Sequence, residues 1–221
     1  MEGAKSPPRS NMGQKIHPIG FRLGTSADWQ SRWFAVKGDY AKNLLEDLKI
    51  RRYLSERLKL AGLVAVEIER LINKMKIVIH VTRPGVVIGR GGTGLEELKR
   101  TLVSQIALPS AEKNLQLEVA EVKSPDLSAY LVASRIVAEL ERRLPHRRVA
   151  GRALERTMAS GAAGIKVVLS GRIAGAEIAR RETFAQGKLP LGEIRANIDF
   201  AQIPALTKSG YVGVKVWIYQ E

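Results

Sequence analysis

Cysteine is absent from the 221-residue sequence, and histidine occurs only 3 times. Without cysteine the chain can form no disulfide, no thiolate metal site and no thiol nucleophile. His17, His80 and His146 are far apart in the sequence, and none belongs to a metalloprotease or hydrolase motif. A G-x-x-x-x-G-K-[ST] nucleotide-binding loop is also missing. We therefore expect no catalytic residues, no metal and no cofactor.

Long apolar runs are missing as well. No segment approaches the roughly 20 apolar residues that a transmembrane helix needs. The basic N-terminus is not followed by the hydrophobic core of a signal peptide. We therefore expect a protein without a membrane partner that stays in the cytoplasm.

Acidic side chains are scarce relative to basic ones. The chain has 22 Asp and Glu residues against 36 Lys and Arg residues, which gives a net charge of +14 and a pI of about 10.2. Residues 1–110 hold 19 basic and 10 acidic side chains, and residues 111–221 hold 17 and 12. Because both halves are positive, the charge indicates folded surfaces that favour a polyanionic partner. The alternative is a charge that serves solubility alone.

A glycine-rich loop lies between a predicted strand at Lys76–Thr82 and a predicted amphipathic helix at Leu95–Ile106. Glycines let a phosphate approach backbone N–H groups, and a helix N-terminus adds partial positive charge. The run Gly89-Arg90-Gly91-Gly92 fits the G-x-x-G loop of KH domains, which bind single-stranded nucleic acid. Gly89, Gly91 and Gly94 also fit the dinucleotide fingerprint G-x-G-x-x-G. The third interpretation is a turn without a ligand.

The order of predicted elements favours the KH domain. A strand at Val64–Ile68 is joined to the strand at Lys76–Thr82 by a short link, so the two should pair as an antiparallel hairpin. A dinucleotide-binding fold needs a parallel strand reached through a helical crossover. A predicted helix at Tyr40–Ala61 precedes these two strands, and a predicted strand at Leu115–Lys123 follows the glycine loop and its helix. This order of elements is that of a type II KH domain, in which helices pack on a three-stranded sheet. The first helix is expected to bury Leu44, Leu48, Leu54 and Leu58.

The second half of the chain predicts a separate α+β domain. A turn at Ser124-Pro125-Asp126 precedes a helix with an apolar stripe from Leu127 to Leu140, and Pro145 separates that helix from the next. Alternating apolar residues predict a strand at Ile165–Leu169. The remaining elements are a predicted short helix at Ala176–Arg181 and strands at Thr183–Gly187, Arg195–Ile203 and Val212–Tyr219. We predict helices packed on a mostly antiparallel sheet.

The densest positive segment surrounds Pro145. Its six arginines are Arg142, Arg143, Arg147, Arg148, Arg152 and Arg156. Guanidinium groups match phosphate geometry, and few acids nearby can pair with them. The segment therefore predicts nucleic-acid binding, with a solvated or internally paired helix face as the alternative.

Four sequence blocks resemble the bacterial family of small-subunit ribosomal protein S3. They are Met12–Lys15 with Pro18–Gly24, Arg83–Gly89, Gly164–Val167 with Ser170–Arg180, and Gly213–Ile218. The chain then divides into an arm at 12–38, a type II KH domain at 39–123 and a C-terminal ribosomal domain at 124–221. Residues 1–11 are predicted to be a disordered extension from their composition. The sequence leaves open whether translation starts at Met1 or Met12.

The resemblance implies a structural component of the small-subunit head, without enzymatic activity. It implies that the protein binds ribosomal RNA and lines the channel through which mRNA enters, where it aids unwinding of structured mRNA. The implied partners are small-subunit ribosomal RNA, mRNA and neighbouring proteins of the subunit head. The alternatives are a free-standing RNA-binding regulator and, more distantly, a nucleotide-binding enzyme.

The site residues follow from the same resemblance. Arg147 and Arg148 match the paired arginines with which this family faces the mRNA channel, and Arg152 lies beside them. Gly151 stands where many bacterial members have lysine. The predicted RNA-binding loop consists of Gly89, Arg90, Gly91 and Gly92. The predicted ribosomal RNA contacts are Lys15, Arg22, Arg172, Arg180, Arg181 and Lys188.

Overall fold

The computed structural model describes residues 16–71, 74–105 and 114–221. Lys15, the predicted disordered extension at 1–11 and the first residues of the predicted arm lie outside the described residues. Within the described part, two four-stranded sheets each carry helices on one face. The predicted α+β class is therefore confirmed.

The elements follow one another in a simple order. The helices are α1 (Pro18–Arg22), α2 (Lys37–Arg57), α3 (Pro84–Ile88), α4 (Thr93–Gln105), α5 (Ala129–Glu141) and α6 (His146–Ala159). The strands are β1 (Ser31–Arg32), β2 (Leu63–Arg70), β3 (Met75–Val81), β4 (Leu115–Glu121), β5 (Gly164–Gly171), β6 (Arg180–Gly187), β7 (Asn197–Thr207) and β8 (Gly210–Gln220).

The first sheet has the strand order β1-β2-β3-β4. The predicted hairpin is confirmed, since β2 and β3 are antiparallel with Val66 opposite Ile79, and β4 then pairs parallel to β3. Inward-facing residues of these strands form one core with α2 and α4. The structure adds β1, which pairs parallel to β2. A strand of two residues is too short for alternating apolar positions to predict it.

Helix α2 differs from the prediction in its ends and in its buried face. It spans Lys37–Arg57, and a separate 3₁₀ turn at Lys59–Ala61 follows it. Leu54 and Leu58 are buried as predicted, but Leu44 and Leu48 are 41% and 55% exposed. The buried side chains lie in the second half of the helix because only that half covers the sheet. The prediction that Leu44 and Leu48 belong to the core is wrong.

The second sheet has the order β6-β5-β8-β7, and each neighbouring pair is antiparallel. Its core joins one sheet face to α5 and α6, through buried residues such as Ile136, Val149, Val167 and Val216. Helix α5 ends at Glu141 and α6 begins at His146, as the break at Pro145 predicted. The residue-level domain limits stay predictions.

The predicted helix at Ala176–Arg181 is wrong. A 3₁₀ turn at Ile173–Gly175 comes first, and β6 begins at Arg180, opposite Gly171 of β5. Ala174 and Gly175 both have positive φ, 55° and 78°, so the backbone reverses and does not continue as a helix. Pairing with β5 then holds Arg180 and Arg181 in extended conformation.

The N-terminal arm contacts both halves of the fold. Helix α1 packs on β7 of the second sheet, and β1 pairs with β2 of the first. Trp33 fixes the arm to α2, because its indole N–H donates to the buried Asp47 at 2.8 Å. Arg51 of α2 adds a bond to the carbonyl of Gln30 at 3.0 Å. The arm therefore links two sheets that have separate cores.

Candidate nucleic-acid interface

The glycine loop joins α3 to α4 on the surface of the first domain. Gly89, Gly91 and Gly92 have φ values of 70°, 61° and 84°, which side-chain-bearing residues rarely adopt. A Cβ at Gly94 would lie 2.7 Å from the carbonyl oxygen of Val87, so glycine allows α3 and α4 to approach closely. A Cβ at Gly91 or Gly92 would meet no atom within 4 Å. The outer side of the loop is therefore open to a ligand.

Arg90 is the cation of this loop. Its side chain is exposed, and it has no hydrogen-bond or ion-pair partner among the described residues. The hydroxyl of Thr93 donates to the carbonyl of Arg90 at 3.0 Å, which closes the loop onto the start of α4. A free guanidinium beside a helix N-terminus suits a phosphate.

Helix α6 presents the predicted channel arginines. Val149, Ala150 and Thr157 are buried and attach the helix to the second domain. Arg147 and Arg148 lie in the first turn and point outward; the Arg147 side chain is 79% exposed. A Cβ at Gly151 would meet no atom within 4 Å, so the space beside Arg152 is open. The helix therefore combines a buried face with a cationic outer face.

Acidic neighbours divide these arginines into two groups. Arg152 pairs with Glu139 at 3.7 Å, and its side chain is 40% exposed. Arg147 lies 4.0 Å from Glu182, at the limit of an ion pair, while His146 and Arg180 contact the same carboxylate at 2.9 Å. No side-chain partner of Arg148 occurs within residues 16–71, 74–105 and 114–221. Arg147 and Arg148 are therefore freer than Arg152 to contact a phosphate.

The turn between α5 and α6 lies beside another predicted RNA residue. Arg143 and His146 line a cavity of about 340 Å³ together with Arg172 and Lys208, and no acidic residue lines it. The guanidinium of Arg172 donates to the carbonyl of Ala176 at 2.9 Å and remains exposed. The structure thus brings Arg172 next to the arginine-rich segment, which sequence spacing alone could not show.

The remaining predicted contacts lie on or beside β6. Arg180 pairs with Glu182 at 2.9 Å with half its side chain exposed, whereas Arg181 projects from the other face of the strand. Lys188 is exposed just after the strand ends. These residues are accessible, but they do not form one cluster with the glycine loop.

The structure corrects the prediction that Arg22 contacts ribosomal RNA. Its side chain is 1% exposed, and its guanidinium donates to five backbone carbonyls, at distances from 2.7 to 3.3 Å. These acceptors belong to Pro18, Pro190, Leu191, Glu193 and Ala196. Arg22 therefore fixes the arm to the second domain and cannot reach a phosphate. A basic residue in an aperiodic, glycine-rich segment gave no signal that it would be buried.

Two other arginines are also structural. Arg70 pairs with Asp47 at 2.5 Å and with Glu46 at 2.8 Å, and its side chain is only 9% exposed. Arg51 donates to the Val66 carbonyl, and burial lowers the pKa of its guanidinium. The positive charge of the sequence is therefore not all available to a nucleic acid.

The sequence analysis missed Lys166, Lys215 and Trp217. These residues lie on the face of the second sheet opposite α5 and α6, as their strand register shows. A signal was present, because the three residues alternate with buried valines and isoleucines along β5 and β8. Their common face became apparent only when the two strands were paired.

Comparison with known proteins identifies the family. The family model of ribosomal protein S3, C-terminal domain, matches residues 136–218, and that of the KH domain matches residues 49–127. The small ribosomal subunit protein uS3 of Persephonella marina is 51% identical over 209 residues, covering 95% of this chain and 90% of the relative. The chain belongs to the ribosomal protein S3 family. The uS3 proteins of Caldicellulosiruptor saccharolyticus and Lactobacillus delbrueckii are each 47% identical, over 95% and 94% of this chain and 92% and 90% of their own lengths.

Membership of the S3 family confirms two predictions. The resemblance found in the four sequence blocks is correct, and the first domain is a KH domain. The S3 family is a structural component of the small ribosomal subunit, so the protein is not an enzyme. None of the described helices is long and apolar enough to cross a membrane. The described residues also contain no group of three or more His, Asp or Glu side chains that could hold a metal ion.

Proposed function

We propose that this small-subunit protein lines the channel through which mRNA enters and favours the unwound state of structured mRNA. Arg147 and Arg148 bind phosphates of single-stranded message, and Arg152 adds a weaker contact. We also propose that the protein acts in the cytoplasm, within the subunit head, beside neighbouring head proteins.

The free guanidinium groups at the start of α6 support this proposal most directly. Arg148 has no side-chain partner within the described ranges, and Arg147 has only the 4.0 Å contact with Glu182. Exposed arginines on a helix fixed by buried residues hold their charges in place without first breaking ion pairs. Such a surface attracts a polynucleotide backbone.

The mechanism needs binding energy only. A strand that leaves a hairpin is flexible, so its phosphates can approach the two guanidinium groups one after the other, whereas a paired stem holds its phosphates in fixed geometry. Each contact lowers the free energy of the open strand relative to the paired one, so the population of hairpins that have opened by thermal motion increases. No nucleotide hydrolysis is required.

Ribosomal RNA contacts are proposed for the loop Gly89–Gly92 and for the exposed basic residues of the second domain. The second group consists of Arg172, Arg180, Arg181 and Lys188. The open outer side of the loop and the free guanidinium of Arg90 support the first part. The exposure of the other four residues supports the second.

The channel proposal is tested with ribosomes that carry Arg147→Ala and Arg148→Ala together. Translation through a stable hairpin should slow about thirtyfold, since the two charge-assisted contacts contribute roughly 1 kcal/mol each. Translation of an unstructured message should stay unchanged. Lys42→Ala with Lys49→Ala removes two exposed charges from α2 and serves as the control. Equal hairpin rates for the arginine variant and the unmodified ribosome would refute the channel role.

The loop proposal is tested with Gly91→Asp and Gly91→Asn. Both side chains tolerate positive φ and enter open space, so the pair isolates the added negative charge. Binding to naked small-subunit ribosomal RNA should weaken about fivefold more for Asp than for Asn, given roughly 1 kcal/mol for a nearby like charge. Equal affinities of the two variants would place the loop outside the RNA contact.

A free-standing RNA-binding regulator is the alternative from another class. Sedimentation in high salt distinguishes it, because a subunit component moves with the small subunit. Recovery of the protein only in the free fraction would favour the regulator.

A further inference from the structure

We propose that the face of the second sheet opposite α5 and α6 binds an unpaired nucleotide of single-stranded RNA, with its base on Trp217 and its phosphate at Lys166, Lys215 and Arg181. This site is separate from the glycine loop and from α6. It extends the proposed RNA-binding function to a surface that shares only Arg181 with the ribosomal RNA contacts proposed above.

The site is a cavity of about 700 Å³ between the sheet and the N-terminal arm. Strands β5 and β8 form its floor, and Phe21 of α1 and Leu191 form part of its walls. Drug-sized ligands occupy cavities of roughly 300–1,000 Å³, so one nucleotide fits the volume. Arg181, Thr183 and Gln202 are exposed at the open side. A longer strand can therefore leave the cavity in either direction.

The charged side chains that line the cavity are all positive. Lys166, Lys215 and Arg181 line it, and no lining residue is acidic. None of the three cations has an ion-pair partner within the described ranges. Lys166 is opposite Trp217 and Lys215 is opposite Val168, two residues further along β5, so the two lysines are diagonal neighbours. Like charges at this spacing repel each other, and a bound anion relieves the repulsion.

An aromatic surface lies directly beside these charges. The ring of Trp217 packs on Phe200 at a centroid distance of 5.0 Å, and Phe200 contacts the ring of His17 at 4.9 Å. The ammonium group of Lys166 lies 5.8 Å from the Trp217 centroid. Proteins stack a base and bind its phosphate with an aromatic ring that is fixed by packing and lies beside cations without ion-pair partners.

These features favour single-stranded RNA over other occupants. An acidic protein segment would satisfy the cations but would leave the aromatic surface without a stacking partner. The chain's own residues 1–15 contain Lys5, Arg9 and Lys15 against Glu2, so their charge does not complement the cavity. A duplex keeps its bases stacked inside and cannot place one on Trp217.

The test follows the indole N–H signals of the full-length protein by NMR. The three tryptophans, Trp29, Trp33 and Trp217, give three such signals. An unstructured eight-nucleotide RNA is added to protein carrying Arg147→Ala and Arg148→Ala, so that a failed channel role cannot affect the result. The Trp217 signal should shift, whereas that of Trp33, whose N–H is bonded to Asp47, should not.

Two variants measure the contributions of charge and ring. Lys166→Gln with Lys215→Gln should weaken binding of the RNA at least tenfold, while Lys42→Gln with Lys49→Gln, the matched control, should change it much less. Trp217→Phe keeps the packing on Phe200 and should weaken binding several-fold, in line with base–aromatic stacking. Circular dichroism verifies that each variant is folded.

Three outcomes would overturn the proposal. The first is a Trp217 signal that does not move with RNA. The second is an equal shift with inorganic polyphosphate, which would show an anion site that ignores the base. The third is tighter binding of a polyglutamate peptide than of RNA, which would identify a docking site for an acidic protein segment.

Discussion

Both sheets have four strands, yet the face opposite α2 and α4 on the first and the face opposite α5 and α6 on the second differ in charge. On the first sheet, cations and acids pair across strands: Arg32 with Glu69 at 2.7 Å, Lys76 with Glu118 at 2.9 Å and His80 with Glu67 at 3.1 Å. On the second, Lys166, Lys215 and Arg181 have no acidic neighbour in the cavity that they line. On the first face, the charges are balanced by ion pairs within the protein. The charges of the second face stay available to an external anion.

The difference shows that net charge does not indicate where a polyanion binds. Both halves of the sequence are positive, but the structure uses Arg22, Arg51 and Arg70 as internal donors. What distinguishes a binding surface is a cation without an acidic partner, and partners are visible only after strands are paired. Three changes sharpen or break this comparison.

The largest expected effect is that of Arg22→Ala on stability. The change leaves five backbone carbonyls without their donor, and we expect the free energy of unfolding to fall by roughly 3 kcal/mol or more. Arg32→Ala removes exposed ion pairs of the first sheet and should lower the free energy of unfolding far less. Urea unfolding measures both variants. Similar losses would show that Arg22 contributes no more than a surface pair.

A smaller effect is expected when the second face is made to resemble the first. Gln202 is opposite Lys215 on β7, so Gln202→Glu creates a cross-strand ion pair. Affinity for single-stranded RNA should fall about fivefold, and stability should rise by roughly 0.2–1 kcal/mol. Gln116→Glu places the same change opposite Lys76 on the first sheet and is the control. Fluorescence anisotropy with labelled RNA measures both. An equal loss in the control would attribute the effect to net charge.

The smallest effect concerns Asp199, a carboxylate with no cationic partner among the described residues. It accepts the backbone N–H of Ala129 at 2.7 Å at the start of α5, and burial raises its pKa above the ordinary value. The Asp199 carboxyl group therefore stays protonated to a higher pH in the folded state than in the unfolded state. Stability should fall as pH rises from the ordinary carboxyl range, about 4, through the raised value.

Asp199→Asn should remove this contribution to the pH dependence of the free energy of unfolding, whether or not the variant is as stable as the unmodified protein. Urea unfolding at a series of pH values compares the two proteins. Parallel curves would show that Asp199 does not carry the pH dependence.

The sequence predicted elements best where periodicity was strong. The β2–β3 hairpin, the existence of β4 and the break at Pro145 were predicted, whereas the parallel pairing of β4 with β3 was not. Patterns failed where distant residues decide the structure: Arg180 and Arg181 become strand because β5 pairs with them, and Leu44 is exposed because α2 extends beyond the sheet. The same reason explains Arg22, whose acceptors are 168 to 174 residues away except for Pro18.

That distance between Arg22 and its acceptors has a consequence for synthesis. The arm leaves the ribosomal tunnel first, but the carbonyls of Pro190, Leu191, Glu193 and Ala196 are made near the end of translation. The first domain can collapse on its own core while Arg22 still lies in water. Docking of α1 on the second domain is then the last step of folding, and a prematurely terminated chain leaves α1 undocked and accessible to proteases.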